Sequence, residues 1–292
     1  MEKNQKKAYK FALISVFLWS TVATAFKISL SFISPLELLF YSSLSSLFIL
    51  GIVLLYQKKL SSVVTHLKEQ PLLVIVLGAI NPFIYYLVLF SAYDLLPAQE
   101  AQAINYTWAL VFAYMSVIFL KHRLTKADLL AGVICYFGVL IIATKGAPFS
   151  LHFSDLHGVF LAIISTVLWA LYWIFNTKSK ADATVGLFSN FLVGVLLISL
   201  YALFQGGINL PNFQATIGVV YVGFFEMGIT FVFWLKAVNL TQNISKISNL
   251  IFLSPFLSLL FIHFFVGEEI LFSTILALFL IIAGLIIQQK WK

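Results

Sequence analysis

The sequence predicts an all-α polytopic membrane protein, with ten transmembrane helices as an inverted 5+5 structural repeat. Three observations carry this: a composition too apolar for water, ten apolar runs of crossing length, and a segment that recurs half a chain later. Of the 292 residues, 61% are hydrophobic and 10% charged, and the mean hydropathy is +1.01. Soluble domains are about 45–50% apolar and about a quarter charged, so a water-soluble enzyme is excluded. Ten helices of about 20 residues leave roughly eight residues per connection, too few for a folded domain outside the bilayer.

In chain order the apolar runs fall at 11–30, 35–56, 71–93, 97–120, 126–144, 155–175, 184–205, 213–235, 240–266 and 270–289. Lys, Asn, Pro or Gly breaks separate them. The short links Ser31–Ser34 and Val266–Glu269 force antiparallel neighbours, and Asp94 with Pro97 divides the third run from the fourth. The basic head and Ala23-Thr24-Ala25 have the form of a cleavable leader. We read the segment as a helix, because it recurs later in the chain. The net charge of +7 reads as a topology signal rather than a nucleic-acid surface. With the N-terminus cytoplasmic, fifteen of the 18 Lys and Arg fall on cytoplasmic segments; Lys145 alone lies in an outer loop. Both termini are therefore expected in the cytoplasm, with the chain in a bacterial inner membrane.

The repeat is the third observation. Ala12 to Ser20 aligns without gaps on Ala162 to Ala170, superposing Trp19 on Trp169 at an offset of 150. Gly78, Ala92 and Leu95 match Gly223, Ala237 and Leu240 at offset 145, and Gly138 matches Gly284 at 146. The units are 1–148 and 149–292, with five helices each. An odd number of crossings inverts the second copy, an architecture suited to carriers whose halves exchange access around a site between them.

The fourth run of each copy adds a resemblance. Asn105-Tyr106-Thr107-Trp108 resembles the Asn-Tyr-x-Trp-Pro signature of YddG-like exporters in the drug/metabolite transporter superfamily, built from EamA repeats. Ser254-Pro255-Phe256 resembles the family's second-copy proline segment, and Gly267-Glu268-Glu269 its Gly-Glu turn. Ala109 stands where the family has proline, and Lys121-His122-Arg123 replaces the first Gly-Glu turn. The resemblance implies export of aromatic or other neutral amino acids, or related metabolites, by alternating access. The alternatives are another metabolite on the same fold, nucleotide-linked or phosphorylated, or a drug; a membrane-embedded enzyme is more remote.

Candidate functional residues follow from depth. An ionisable group in the bilayer costs at least ~2.5–3.5 kcal/mol, so Glu226, in the middle of the eighth run, requires a role. It can bind a proton or a substrate ammonium, or pair with Lys246. Lys27, Glu37 and Glu100, near the outer ends of their runs, form a candidate gate of ion pairs. Trp19, Trp169, Tyr85, Tyr86, Tyr106 and Trp108 carry polar tips near mid-span, where a cavity suits them better than lipid. Asn81 precedes Pro82, which removes a backbone hydrogen bond and kinks the helix. Gln102, Asn105 and Asn249 complete the expected substrate contacts, with Asn105 and Trp108 sharing one helix face.

Other chemistries lack their residues. There is no phosphate-binding Gly-rich loop with Lys-Ser/Thr. The five histidines show no metal-ligand spacing, and the one cysteine, Cys135, can neither bridge nor build a thiolate metal site. No enzyme, cofactor, metal or nucleic acid is expected; the partners are a small-molecule substrate and lipid, and the sequence leaves the oligomeric state open, a monomer included.

Overall fold

In the computed structural model, residues 4–121, 125–149, 153–242, 247 and 249–290 are described. Eight helices among them are long and apolar enough to cross a membrane: α1 (Gln5–Leu30), α2 (Pro35–Tyr56), α3 (Pro71–Leu95), α4 (Ala98–Leu120), α5 (Lys126–Ala143), α6 (Leu156–Asn176), α7 (Ala183–Phe204) and α8 (Phe213–Leu240). Two shorter apolar helices, α9 (Ser254–Val266) and α10 (Phe272–Lys290), occupy the places of the last two expected crossings. The described residues contain no strand.

Local chemistry sets the helix boundaries. At the start of α2, Ser34 caps the helix and Pro35 follows it. The Glu37 carboxylate returns to accept the Ser34 backbone N–H at 2.9 Å. Thr125 and Asp128 form the same reciprocal cap on α5, satisfying N–H groups that would otherwise stay unpaired in an apolar medium. Asp155, Asp182 and Asn212 cap α6, α7 and α8. A short amphipathic helix, Leu60–Glu69, lies between α2 and α3; it buries Val63 and His66 and leaves most of its other side chains accessible. Its many polar residues kept this segment outside the apolar runs of the sequence.

The packing crosses between the halves of the chain. Helix α1 packs on α8 and α9, while α6 packs on α3 and α4; α2 packs on α8 and α7, α7 on α3, and α5 pairs with α10. Two tight approaches recur at matched positions. A methyl at Gly78 of α3 would meet the Asn190 carbonyl oxygen of α7 at 2.6 Å, and one at Gly223 of α8 would meet the Ser42 carbonyl of α2. Small residues let helices approach in lipid, where dispersion and hydrogen bonds rather than hydrophobicity hold them together.

Polar ties join the halves at both membrane faces. On the face bearing the N-terminal segment, the Asn4 N–H donates to the Leu240 carbonyl at 2.9 Å, and Lys59 pairs with Asp182 at 2.7 Å. The side-chain amide of Gln70 donates to the Lys178 carbonyl at 3.2 Å and accepts from the Lys180 N–H at 3.0 Å. On the opposite face the Glu268 carboxylate accepts the N–H groups of Ala98 at 2.6 Å and Gln99 at 3.2 Å. A residue from the α9–α10 link thus caps the N-terminus of α4, where a negative charge is favoured by the helix dipole.

Candidate functional site

Several of the crossing helices are interrupted, and the interruptions coincide with the residues singled out by depth. Helix α1 breaks at Thr21, two residues after Trp19. Helix α3 widens into a π-turn at Ala79–Ile84, within which Asn81 leaves helical geometry at φ −137°, ψ 116°. Helix α4 breaks at Tyr106–Thr107, between Asn105 and Trp108. A second π-turn, Val222–Ile229, carries Glu226, and a 3₁₀ turn over Asn249–Leu253 leads into α9. Such interruptions turn side chains and backbone polar groups inward, which a membrane tolerates only where protein or water satisfies them.

The predicted aromatics meet around Trp169. Its indole stacks on Tyr85 at 4.6 Å and on Tyr172 at 5.4 Å, each within 26° of parallel. Trp108 meets it edge-on at 6.4 Å, and Trp173 at 5.8 Å. Phe231 of α8 lies 6.4 Å from Trp169 and 5.6 Å from Trp19, linking the two repeated tryptophans. Helices α1, α3, α4, α6 and α8 thus each contribute a ring. Tyr85, Tyr86 and Trp169 are buried, whereas Trp19, Trp108 and Phe231 retain accessible surface. Offset pairs of this kind add about 0.5–1.5 kcal/mol each beyond area burial.

Polar groups line the same cluster. The Tyr86 hydroxyl donates to the Glu226 carboxylate at 3.1 Å, joining α3 to α8. Glu226 keeps part of its surface accessible although it lies at the middle of its span. Asn105 donates to the Ser165 hydroxyl of α6 at 3.0 Å and faces the Tyr85 hydroxyl. Tyr106 faces Ser254 of α9. Asn190 of α7 donates to the Tyr172 hydroxyl at 3.5 Å, which Asn81 also faces. The side-chain oxygens of Asn81 and Asn190 are buried and, among the described residues, have no hydrogen-bond partner. Unmet acceptors of this kind, each costing about 1–3 kcal/mol, mark places for a ligand or water.

The structure therefore brings together Trp19, Asn81, Tyr85, Tyr86, Asn105, Tyr106, Trp108, Trp169 and Glu226. Gln102 is buried on α4, but among the described residues its side chain makes no hydrogen bond to the cluster. Lys246, expected as a partner of Glu226, and the Asn249 side chain lie outside the described residues. The sequence reading missed Tyr172, Trp173 and Phe231. Tyr172 lies three residues after Trp169 on the same helix face, and Phe231 matches Tyr86 at the repeat offset of 145.

The expected gate residues make other contacts. Lys27 donates to the Tyr93 and Leu96 carbonyls, both at 2.8 Å, at the C-terminus of α3. A cation is favourable at a helix C-terminus. Glu37, already in the α2 cap, also accepts the N–H and side-chain amide of Asn209 at 3.1 and 3.0 Å. Glu100 is buried, with one carboxylate oxygen unpartnered among the described residues. Lys59–Asp182, on the opposite face, is the one ion pair among the described residues. Two apolar grooves lie elsewhere: one of about 280 Å³ between α5 and α6, lined by Tyr136, Leu140 and Phe160, and one of about 320 Å³ beside Ile217 and Phe225.

Comparison with known proteins agrees with this architecture. A solved crystal structure overlays on 97% of this chain and 96% of its own, with a TM-score of 0.67 at 22% identity, which shows a shared fold. An uncharacterized transporter of Archaeoglobus fulgidus is 24% identical over 283 residues, covering 95% of this chain and 96% of the relative. The transporter in the sor 3'region of Acidianus ambivalens is 28% identical over 176 residues, 58% of this chain and 66% of that one. YyaM of Bacillus subtilis, also an uncharacterized transporter, is 23% identical over 76% of this chain and 74% of its own length. The model of the EamA-like transporter family matches residues 6–144 and again 156–288. With nearly the whole chain matched, this multi-pass membrane protein is a transporter belonging to the EamA-like family.

Proposed function

We propose that the chain is a secondary transporter exporting neutral, chiefly aromatic, amino acids or related metabolites by alternating access. It would cross a bacterial inner membrane ten times as two inverted five-helix copies, 1–148 and 149–292, with both ends cytoplasmic. The observation that carries this is the cluster around Trp169, where residues of both halves gather beside the interruptions of α1, α3, α4 and α8. Rings gathered around an indole from five helices suit a flat solute, and the Glu226 carboxylate suits an ammonium. The double family match and the reciprocal packing of α1 on α8–α9 and α6 on α3–α4 support the inverted repeat. Export direction and cytoplasmic termini rest on the resemblance and on the placement of Lys and Arg.

A phosphorylated or nucleotide-linked substrate is the rival reading. It would need cations at the site, and the described residues place only a carboxylate, amides, hydroxyls and rings there. Counterflow in proteoliposomes tests the proposal. Vesicles loaded with unlabelled phenylalanine, methionine or threonine should draw in trace label of the same amino acid, and Trp108→Ala should reduce that uptake at least about tenfold, the factor that corresponds to ~1.4 kcal/mol. Folded protein that exchanges none of the three would refute the substrate class.

A further inference from the structure

The shift of 145 residues that carries Gly78, Ala92 and Leu95 onto Gly223, Ala237 and Leu240 also carries Asn81 onto Glu226. The two positions share their surroundings. Each lies in a π-turn, Ala79–Ile84 or Val222–Ile229. Each follows by three residues a glycine that seats its helix against the other copy, Gly78 on α7 and Gly223 on α2. Each also meets a tyrosine hydroxyl from the other copy: Glu226 accepts from Tyr86 at 3.1 Å, and Asn81 faces Tyr172. The third helix of each copy thus presents one polar side chain to the same central cluster, an amide from the first copy and a carboxylate from the second.

On the reading of this chain as a carrier with a central site, we propose that Glu226 is the exchange carboxylate of a proton–substrate antiport, and that position 81 can take over that role. The carboxyl group gives its proton to water on one face, and the carboxylate left behind pairs with a substrate ammonium. The ammonium must leave on the other face before a proton returns, so one group holds either cation but never both. Tyr86 donates to Glu226 in both forms, to the carboxylate or to the carbonyl oxygen of the acid. Of the titratable groups, Tyr86 of α3 touches Glu226, while Tyr85 and Tyr93 of α3 and Tyr106 of α4 are near enough to feel its charge. From α2 the packed neighbours around Gly223 are Ser42, Ser45 and Ser46, which do not titrate. A site between two inverted copies sees a charge supplied by either of them, so a carboxylate moved to position 81 meets the same cluster from the other side.

Two measurements on the full chain, wild type, Glu226→Gln and Asn81→Asp/Glu226→Gln, test this. The first needs no substrate: infrared difference spectra between alkaline and mildly acidic buffer read the carbonyl band of a protonated carboxyl. The second follows labelled phenylalanine in proteoliposomes with an acidic lumen and the membrane potential clamped at zero. One-for-one antiport drives accumulation of about tenfold per pH unit. The wild type should show the accumulation and a titrating band in excess of that from the other buried carboxyl, Glu100; E226Q should lose the accumulation and that excess, and the double variant should regain both, which also shows that it folds. A band undiminished from wild type, or a driven accumulation, in E226Q would overturn the proposal. So would a wild type without a titrating band, or a double variant whose Cys135 stays shielded from thiol dye but which regains neither signal. A titrating band that needs Glu226, in protein that moves no phenylalanine, would retire the amino-acid substrate and leave the proton site standing.

Discussion

Gly78→Ala probes the closest approach of α3 to α7, and its effect can be worked out from the packing. In an unobstructed helix, alanine for glycine stabilises by about 0.4–1 kcal/mol, because the unfolded chain loses freedom. At Gly78 the new methyl would lie 2.6 Å from the Asn190 carbonyl oxygen and 3.1 Å from the Val193 Cβ. The first of these is backbone and cannot swing aside. Overpacking a core costs about 1–3 kcal/mol, and a rigid obstacle puts this site in the upper half of that range. The net expectation is a loss of about 1–2.6 kcal/mol. Gly51→Ala supplies the contrast: its methyl would meet only the Cε2 of Phe188, at 3.5 Å, an ordinary contact. That variant should gain about 0.4–1 kcal/mol. Thermal unfolding in detergent can be followed with a thiol-reactive dye, since Cys135 is the one cysteine and is fully buried. Gly78→Ala should melt below the wild type and Gly51→Ala at or above it. Equal shifts in the same direction would show that helix propensity, not the α3–α7 contact, governs both sites.

Further outcomes follow from the same structure. Trp169→Ala removes the indole that stacks on Tyr85 and Tyr172 and should cost about 3–5 kcal/mol, with loss of phenylalanine counterflow; unchanged exchange would show that the ring only fills space. Glu268→Ala deprives the Ala98 and Gln99 N–H groups of their acceptor, and a loss of about 0.5–2 kcal/mol in thermal unfolding is expected. Burial alone would raise the carboxyl of Asp182. The Lys59 ammonium and the N–H groups of Thr184 and Val185 outweigh it, so its pKa lies below the ordinary 3.8. The unfolded chain then takes up the proton first. The stability Asp182 supplies is complete above that value and drains as pH falls, and Asp182→Asn should flatten that acid limb by about 0.2–1 kcal/mol, as for an exposed pair. Burial lowers the pKa of His66 from 6.5, with Glu69 opposing it. The protein should therefore lose some stability as pH falls below 6.5, and His66→Gln should remove that dependence in a pH series of melting curves.

The membrane class and the helix boundaries were legible because solvent physics dictates them: apolar length, capping residues and prolines are local signals. Glu226 and the repeated tryptophans were legible for a related reason, since a costly group at depth has few tolerable explanations. The interruption at Asn81 could be read from Pro82, but those at Thr21 and Tyr106–Thr107 could not, because neither holds a glycine or proline. The rotation of each helix was also hidden. In a chain whose lipid-facing and core-facing surfaces are equally apolar, Phe231 looks like any other of the thirty phenylalanines until the fold sets it between Trp19 and Trp169. The gate pairing expected of Lys27, Glu37 and Glu100 ignored the backbone, whose unpaired carbonyls and N–H groups at helix ends compete for the same charges.

The last helix of each copy clasps that of the other. A methyl at Gly138 of α5 would meet the Ala277 carbonyl at 2.9 Å, and one at Gly284 of α10 would meet the Cys135 sulfur at 2.6 Å and the Ala131 carbonyl at 3.0 Å. This joint is made by contact alone and does not depend on the peptide link between residues 144 and 156. A chain severed there would keep its halves fastened through α5 and α10. The covalent connection would then be a convenience of synthesis, guaranteeing one copy of each half, rather than the bond that holds the carrier together.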